Sequence, residues 1–357
     1  MPSTLFLRLL TRSAWSSSRG VFMPAAAAAL PPKSTSIRRF GQTAGRSKAA
    51  GEDDPRLKET LGREIADDYA TLRTNYASPK LPVVLAHGLL GFATLELAQL
   101  FPPIEYWHGI RAALEARGVT VITPSVPASA SIQVRAARLA EQIAAAVPAG
   151  TPVNIVAHSM GGLDARLMAS PAFEPELLSR SATAGRRLNV ASLVTVSTPH
   201  HGSSYADHVI AALGPRRFER ARGVLASATG WSDTGAFEQL TPRHMDAVFN
   251  PATPDHPDTA YFSYGAMTDG PPPLMSPFRV CHRVIEEREG PNDGLVSVRS
   301  ARWGSYRGTI KGVTHLGLIN WTNRLSWSVR KMLGQKETFN ALAFYLDIAD
   351  MLAKEGY

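Results

Sequence analysis

The sequence predicts an α/β fold, with a mainly parallel central sheet, helices on both faces and a helical insertion late in the sheet. Three features predict it. Short, nearly continuous apolar runs alternate with segments of helical spacing, as a parallel sheet covered on both sides requires. One of those runs passes directly into a serine flanked by small residues and then into a helix. Beyond residue 202 the alternation gives way to helical pieces separated by Gly/Pro-rich turns.

Leu57, Leu61, Ile65, Tyr69 and Leu72 recur at helical spacing and predict a helical extension over 46–80. The first apolar strand is Leu81–Ala86, ending at His87-Gly88, and a helix is expected from Tyr106 to Ala116. A second strand, Val119–Ile122, precedes a helix over 131–147 carried by Ile132, Ala136, Leu139, Ile143 and Val147. The third strand, Val153–Ala157, leads through Ser159 into the helix Gly161–Ala169, and a fourth spans Val190–Val196. A cap is expected around 203–277, with helices at Ala206–Leu213, Phe218–Ala228 and Phe237–Phe249. A main domain over 81–335 is then closed by a helix in 336–357, where Phe339, Leu342, Leu346, Ala349 and Leu352 form an apolar stripe.

The net charge of +8 belongs to the N-terminus alone. Residues 1–50 hold eight basic residues and no acid, leaving 30 basic against 30 acidic residues in 51–357, so a nucleic-acid-binding body is not expected. Residues 1–45 have the Arg-, Ser- and Ala-rich, acid-free composition of a mitochondrial transit peptide. Their apolar stretch Val21–Leu30 is too short to span a bilayer, so no transmembrane anchor is expected there. The single cysteine, Cys281, excludes an intrachain disulfide and reads as a buried apolar residue.

A serine hydroxyl is a weak nucleophile until a base takes its proton and the backbone presents it clear of the sheet. A sharp strand-to-helix turn does the second job, and crowding there demands small neighbours. Ala157 and Gly161 flank Ser159 at two residues' distance, giving A-x-S-x-G, which makes Ser159 the candidate nucleophile. The oxyanion needs two backbone N–H donors: Met160 is one candidate, and Leu89, in the loop His87–Phe92, is the other. Gly88, Leu90 and Phe92 of that loop are candidate substrate contacts. His87 reads as a structural hydrogen-bonding group beneath the loop.

His87–Phe92, Tyr106–Ile110, His158–Arg166, Ser197–Ser203 and Asn292–Val296 follow one another in the order found in bacterial true lipases of the Pseudomonas and Burkholderia type. Over about residues 80–325 the chain also resembles the fungal triacylglycerol lipases of mitochondria, which are similar to those enzymes. The resemblance implies an α/β-hydrolase fold, a helical lid and hydrolysis of long-chain acyl esters at a lipid interface. Local chemistry leaves Asp293 either a turn residue or the triad acid. The resemblance implies the acid, with Asp269 second, and identifies His315 as the base. His200 and His201 read as packing and hydrogen-bonding groups. Where the bacterial relatives carry a calcium-binding aspartate, two residues past the base, this chain has Gly317, so no metal or other cofactor is expected. Acyl transfer and phospholipase action are the competing activities, and an inactive binding protein on the same scaffold is the competing class.

The leader makes its own prediction. The mature protein should begin after Arg38-Arg39-Phe40, as N-terminal sequencing of material from its native cell would show; a chain starting at Met1 would contradict transit-peptide removal.

Overall fold

Val83–Ala86, Pro152–His158 and Asn189–Val196 are rich in Val, Ile, Leu and Ala without polar alternation, and nearly all their residues are buried. Strands of that kind belong in the middle of a sheet covered on both faces. The computed structural model describes residues 57–58, 61–89, 94–95, 104–174, 187–229, 233–272, 276, 278–321 and 338–357. Its central sheet has eight strands: β1 (Leu57–Lys58), β2 (Gly62–Ile65), β3 (Val83–Ala86), β4 (Val121–Ile122), β5 (Pro152–His158), β6 (Asn189–Val196), β7 (Ala260–Met267) and β8 (Ser305–Lys311). Their spatial order is β1-β2-β8-β7-β6-β5-β3-β4, and every pair is parallel except the antiparallel β1–β2.

Chain order reverses between β3 and β5, where Ala86 pairs with Ala157. In parallel α/β sheets the crevice at such a switch point, beyond the strand C-termini, is where ligands bind. His87 and Ser159 leave the sheet there.

Residues alternate between faces even within the uniformly apolar strands. Val83, Leu85 and Val156 pack with α1 (Ile110–Glu115) and the C-terminal helix, while Val84, Ala86, Ile155 and Ala157 pack with α2 (Ile132–Ala146) and α3 (Gly161–Ala169). A third cluster joins Ile132, Met160 and Leu163 to Ala236, Met245 and Phe249. The segment Ser204–Thr229 is two helices meeting at Gly214, whose φ of 67° and ψ of 166° stop the first before Pro215 starts the second. These are α4, in two halves; α5 is Phe278–Glu289 and α6 is Ala341–Glu355. Among the described residues no helix is long and apolar enough to cross a membrane.

Two expectations are corrected. The helical spacing over 57–72 belongs to β1, β2 and turns, with Gly62 at φ 65°; Glu64 and Ile65 pair with Thr309 and Ile310 of β8, a partner nearly 250 residues away that no local pattern reveals. The expected cap over 203–277 is too long, because Ala260–Met267 is a central strand between β6 and β8. Its Tyr, Ser and Gly residues break the apolar run that marks the other strands. The excursion from the sheet therefore covers 203–259. The leader and residues 46–56 lie outside the described residues.

Turns over 66–80 are tied to α6 through Asp350, with Asp347 also pairing with Arg73. Asp350 accepts from Ala77 N–H at 2.7 Å, from Arg73 at 3.1 Å and from Lys354 at 2.7 Å. Asp350→Ala removes the buried carboxylate that accepts these three charge-assisted bonds and should lower stability by about 1–3 kcal/mol, read as a lower melting temperature.

Candidate active site

Ser159 has a left-handed backbone, φ 57°, at the junction of β5 and α3. That conformation is costly for a residue with a Cβ and persists only where the surroundings enforce it. Here Ser159 N–H donates to Val196 O at 3.0 Å, and Thr198 Oγ1 donates to Ser159 O at 2.7 Å. The small neighbours are sterically required. A Cβ on Gly161 would lie 2.5 Å from Ala86 O and 2.7 Å from His87 O, both rigid backbone atoms. A Cβ on Gly88 would lie 2.7 Å from Ser159 Cβ and 3.1 Å from its Oγ, so the loop after β3 runs directly against the serine. Met160 opens α3, where backbone N–H groups lie outside the helical ladder. Leu89 packs on the cluster that contains Met160. Leu90 and Phe92 lie outside the described residues.

The loop after β3 is braced by buried polar groups. Arg135 reaches Asp164 with Nε at 2.9 Å and Nη2 at 2.7 Å, and it also donates to His87 O at 2.9 Å and Pro127 O at 2.7 Å. Burial pushes Asp164 up to about 6, against the pull of Arg135. His87 accepts from Val126 N–H through Nε2 at 3.0 Å, so its Nδ1–H donates to Gly88 O at 3.0 Å. Burial, reinforced by Arg135, lowers its pKa to about 3 and keeps it neutral. His87 is thus a structural group, as its position in the sequence suggests.

A second brace joins this loop to the elbow. Tyr106 OH accepts from Gly88 N–H at 3.0 Å and therefore donates its only proton to His158 Nδ1, 2.7 Å away. Burial holds His158 far below its ordinary pKa, with His315 adding to the effect. The rings of His158 and His315 are 4.5 Å apart. His315 thus stands beside the residue preceding Ser159.

His315 Nδ1 lies 2.7 Å from Asp293 Oδ2, and both side chains are buried. Asp293 Oδ1 accepts from Leu295 N–H at 3.0 Å and Val296 N–H at 2.8 Å, while Asp293 O accepts from His315 N–H at 2.9 Å. With its second oxygen occupied by backbone donors, the carboxylate presents one oxygen to the imidazole. Nδ1 then carries the proton and Nε2 is left as an acceptor. Asp269, the second acid candidate, has its carboxylate beside Gly312 instead.

The other histidines are engaged elsewhere. His200 is buried, 3.0 Å from Thr195 Oγ1 and stacked on Trp303, and His201 pairs with Asp246 at 3.0 Å. Gly317 offers no side-chain ligand at the position of the bacterial calcium aspartate, and among the described residues no cluster of His, Cys, Asp and Glu could hold a metal. A cavity of about 300 Å³ lined by Met168, Phe173, Arg187 and His256 lies at the opposite ends of the strands. The Arg135–Asp164 pair and the Tyr106 bridge carry no periodic signal, so the sequence pattern does not predict them.

Three buried histidines set the acid stability of this region. His87, His158 and His200 all have folded pKa values below 6.5, each mainly through burial. The unfolded chain binds more protons below that point, so their stabilising contribution is complete above pH 6.5 and is lost as pH falls towards the folded values. Urea midpoints should be flat between pH 7 and 8 and drop steadily below 6.5; a midpoint unchanged down to pH 4 would contradict this.

The family profile described as "Alpha/beta hydrolase family" matches residues 83–322. The chain is 33% identical over 346 residues to Triacylglycerol lipase 2 of Saccharomyces cerevisiae, covering 84% of this chain and 99% of that one. It is 25% identical over 314 residues to a triacylglycerol lipase of Pseudomonas fragi, covering 78% and 97%. Among solved structures, the Staphylococcus hyicus lipase superposes with a TM-score of 0.57 at 20% identity over 79% of this chain and 98% of that one, a likeness of fold. The chain belongs to the α/β-hydrolase family, within its lipase group of carboxylic ester hydrolases.

Proposed function

We propose that the protein is a triacylglycerol lipase that cleaves long-chain acyl glycerides through an acyl-enzyme on Ser159. The observation that carries this reading is the buried 2.7 Å bond between His315 Nδ1 and Asp293, beside the strained elbow of Ser159. Ser159 Oγ attacks the ester carbonyl while its proton passes to His315 Nε2. Asp293 holds the tautomer and stabilises the imidazolium. The N–H groups of Leu89 and Met160 receive the developing oxyanion. Collapse of the intermediate expels the alcohol, which takes the proton from His315, and leaves the acyl group on Ser159. Water then attacks the acyl carbon, giving its proton to His315. The fatty acid leaves and Ser159 is reprotonated.

Substrate class rests on the Saccharomyces cerevisiae and Pseudomonas fragi relatives, both named triacylglycerol lipases, and on the excursion over 203–259. Ala236, Met245 and Phe249 of that excursion pack on Met160 and Leu163, where a lid would cover the site and move to admit lipid. A mitochondrial setting rests on the composition of the leader.

Purified protein should hydrolyse emulsified triacylglycerol faster than soluble short-chain p-nitrophenyl esters. Ser159→Ala and His315→Ala should each lower kcat by about four orders of magnitude or more, and Asp293→Asn by a comparable factor. Equal turnover by wild type and Ser159→Ala would refute the nucleophile. Acyl products formed only with an added alcohol would point to a transferase, and cleavage of phospholipid alone to a phospholipase.

A further inference from the structure

We infer that the outer face of the second half of α4, beyond Gly214, is a docking surface for anionic lipid membranes. This rests on the lipid-ester reading above and adds to it a surface preference set by charge.

Pro215–Thr229 carries four arginines, Arg216, Arg217, Arg220 and Arg222, against one acid, Glu219. The residues of 51–357 are formally neutral, so this excess is local. The four arginines have two different environments. Arg222 faces inward, 3.2 Å from both Glu219 and Glu238 and 3.1 Å from Thr234 Oγ1. Phe218 also faces inward, its ring 6.4 Å from Phe237. Arg216, Arg217 and Arg220 are exposed and make no ion pair among the described residues. Steps of three and four residues from them reach Gly223, Val224 and Ser227, all exposed, so one stripe of the helix is basic at one end and small or apolar at the other.

Placement gives that stripe a use. Glu238 and Phe237 tie the helix to Ala236–Gln239, and Ala236 belongs to the cluster that covers Met160 and Leu163. The basic stripe is therefore the outward side of the layer lying over the candidate nucleophile's elbow. Val224, 55% exposed, is one of four large apolar side chains exposed among the described residues. Val248, at 54%, lies in the same excursion, and Trp321, bonded to Tyr106 O, stands beside the site. Unpaired arginines around an exposed apolar side chain suit a surface of phosphate-bearing headgroups over hydrocarbon. Arginines bind phosphate oxygens, and a small apolar group can enter the interface. An acidic protein would satisfy the charges but would leave Val224 unexplained.

The test uses the full chain carrying Ser159→Ala, so that lipid is bound and not consumed. Sedimentation is measured with vesicles of phosphatidylcholine alone and of phosphatidylcholine mixed with phosphatidylglycerol. The leader's eight positive charges would also attract anionic vesicles, so the informative comparison is with the same chain bearing Arg216→Glu, Arg217→Glu and Arg220→Glu. Partition onto the mixed vesicles should fall by roughly a hundredfold in that variant, and the difference should vanish at high salt. An environment-sensitive dye on Val224→Cys reads the contact directly. Cys281 is buried and its thiol is pushed up to about 11, so it does not compete for the dye. The dye should shift to the blue with mixed vesicles and stay unchanged with phosphatidylcholine. An unshifted dye, an equal shift with both vesicles, or unchanged partition of the triple variant would overturn the inference. Failure of the parent enzyme to cleave triacylglycerol while the dye still shifts would remove the substrate reading and leave the docking surface. Normal cleavage with no charge dependence would do the reverse.

Discussion

Everything at this site depends on one backbone conformation, the left-handed turn at Ser159. It is unfavourable by itself, and the surrounding sheet makes it unavoidable. β5 is locked between β3 and β6, while the bonds to Val196 O and from Thr198 Oγ1 fix the serine's own amide and carbonyl. Gly161 lies against the carbonyls of Ala86 and His87, so α3 begins packed tightly on the end of β3. The result is a hydroxyl held clear of the strand ends and a helix whose first N–H groups face the same space. Ala157 stands where a glycine is usual, and its methyl is absorbed into the apolar layer formed by α2 and α3.

Around that turn buried polar groups brace the loop after β3 and the elbow. Arg135 and Asp164 form a closed pair that also reaches the His87 carbonyl, and the histidines touching the loop and the elbow stay neutral. Tyr106 spends its acceptor on Gly88 and its proton on His158, linking the loop after β3 to the strand end. Each unpaired atom in such a network bears a desolvation cost, which falls here on Asp164 Oδ1 and His158 Nε2. The excursion over 203–259 has fewer such ties on its outer side, where three arginines face solvent. The apolar cluster lies inside and the charged surface outside.

The sequence alone marked the alternation of β3 to β6 with their helices and the small-residue pattern of the elbow at Ser159, while Asp293 and His315 entered as what the family resemblance implies. The first two are written in spacing over a few residues. Uniform apolar runs mark doubly covered strands, and small residues at fixed offsets mark the turn. What only the tertiary structure decided involves partners far apart in the chain. β2 looks helical until Ile310 is beside Ile65, and β7 looks like part of the cap until β6 and β8 flank it. Local turn chemistry does not separate Asp293 from Asp269, and in the fold it is Asp293 that lies beside His315. The Arg135–Asp164 pair is likewise invisible in sequence, because a buried ion pair has no period and exists only where two helices close on each other.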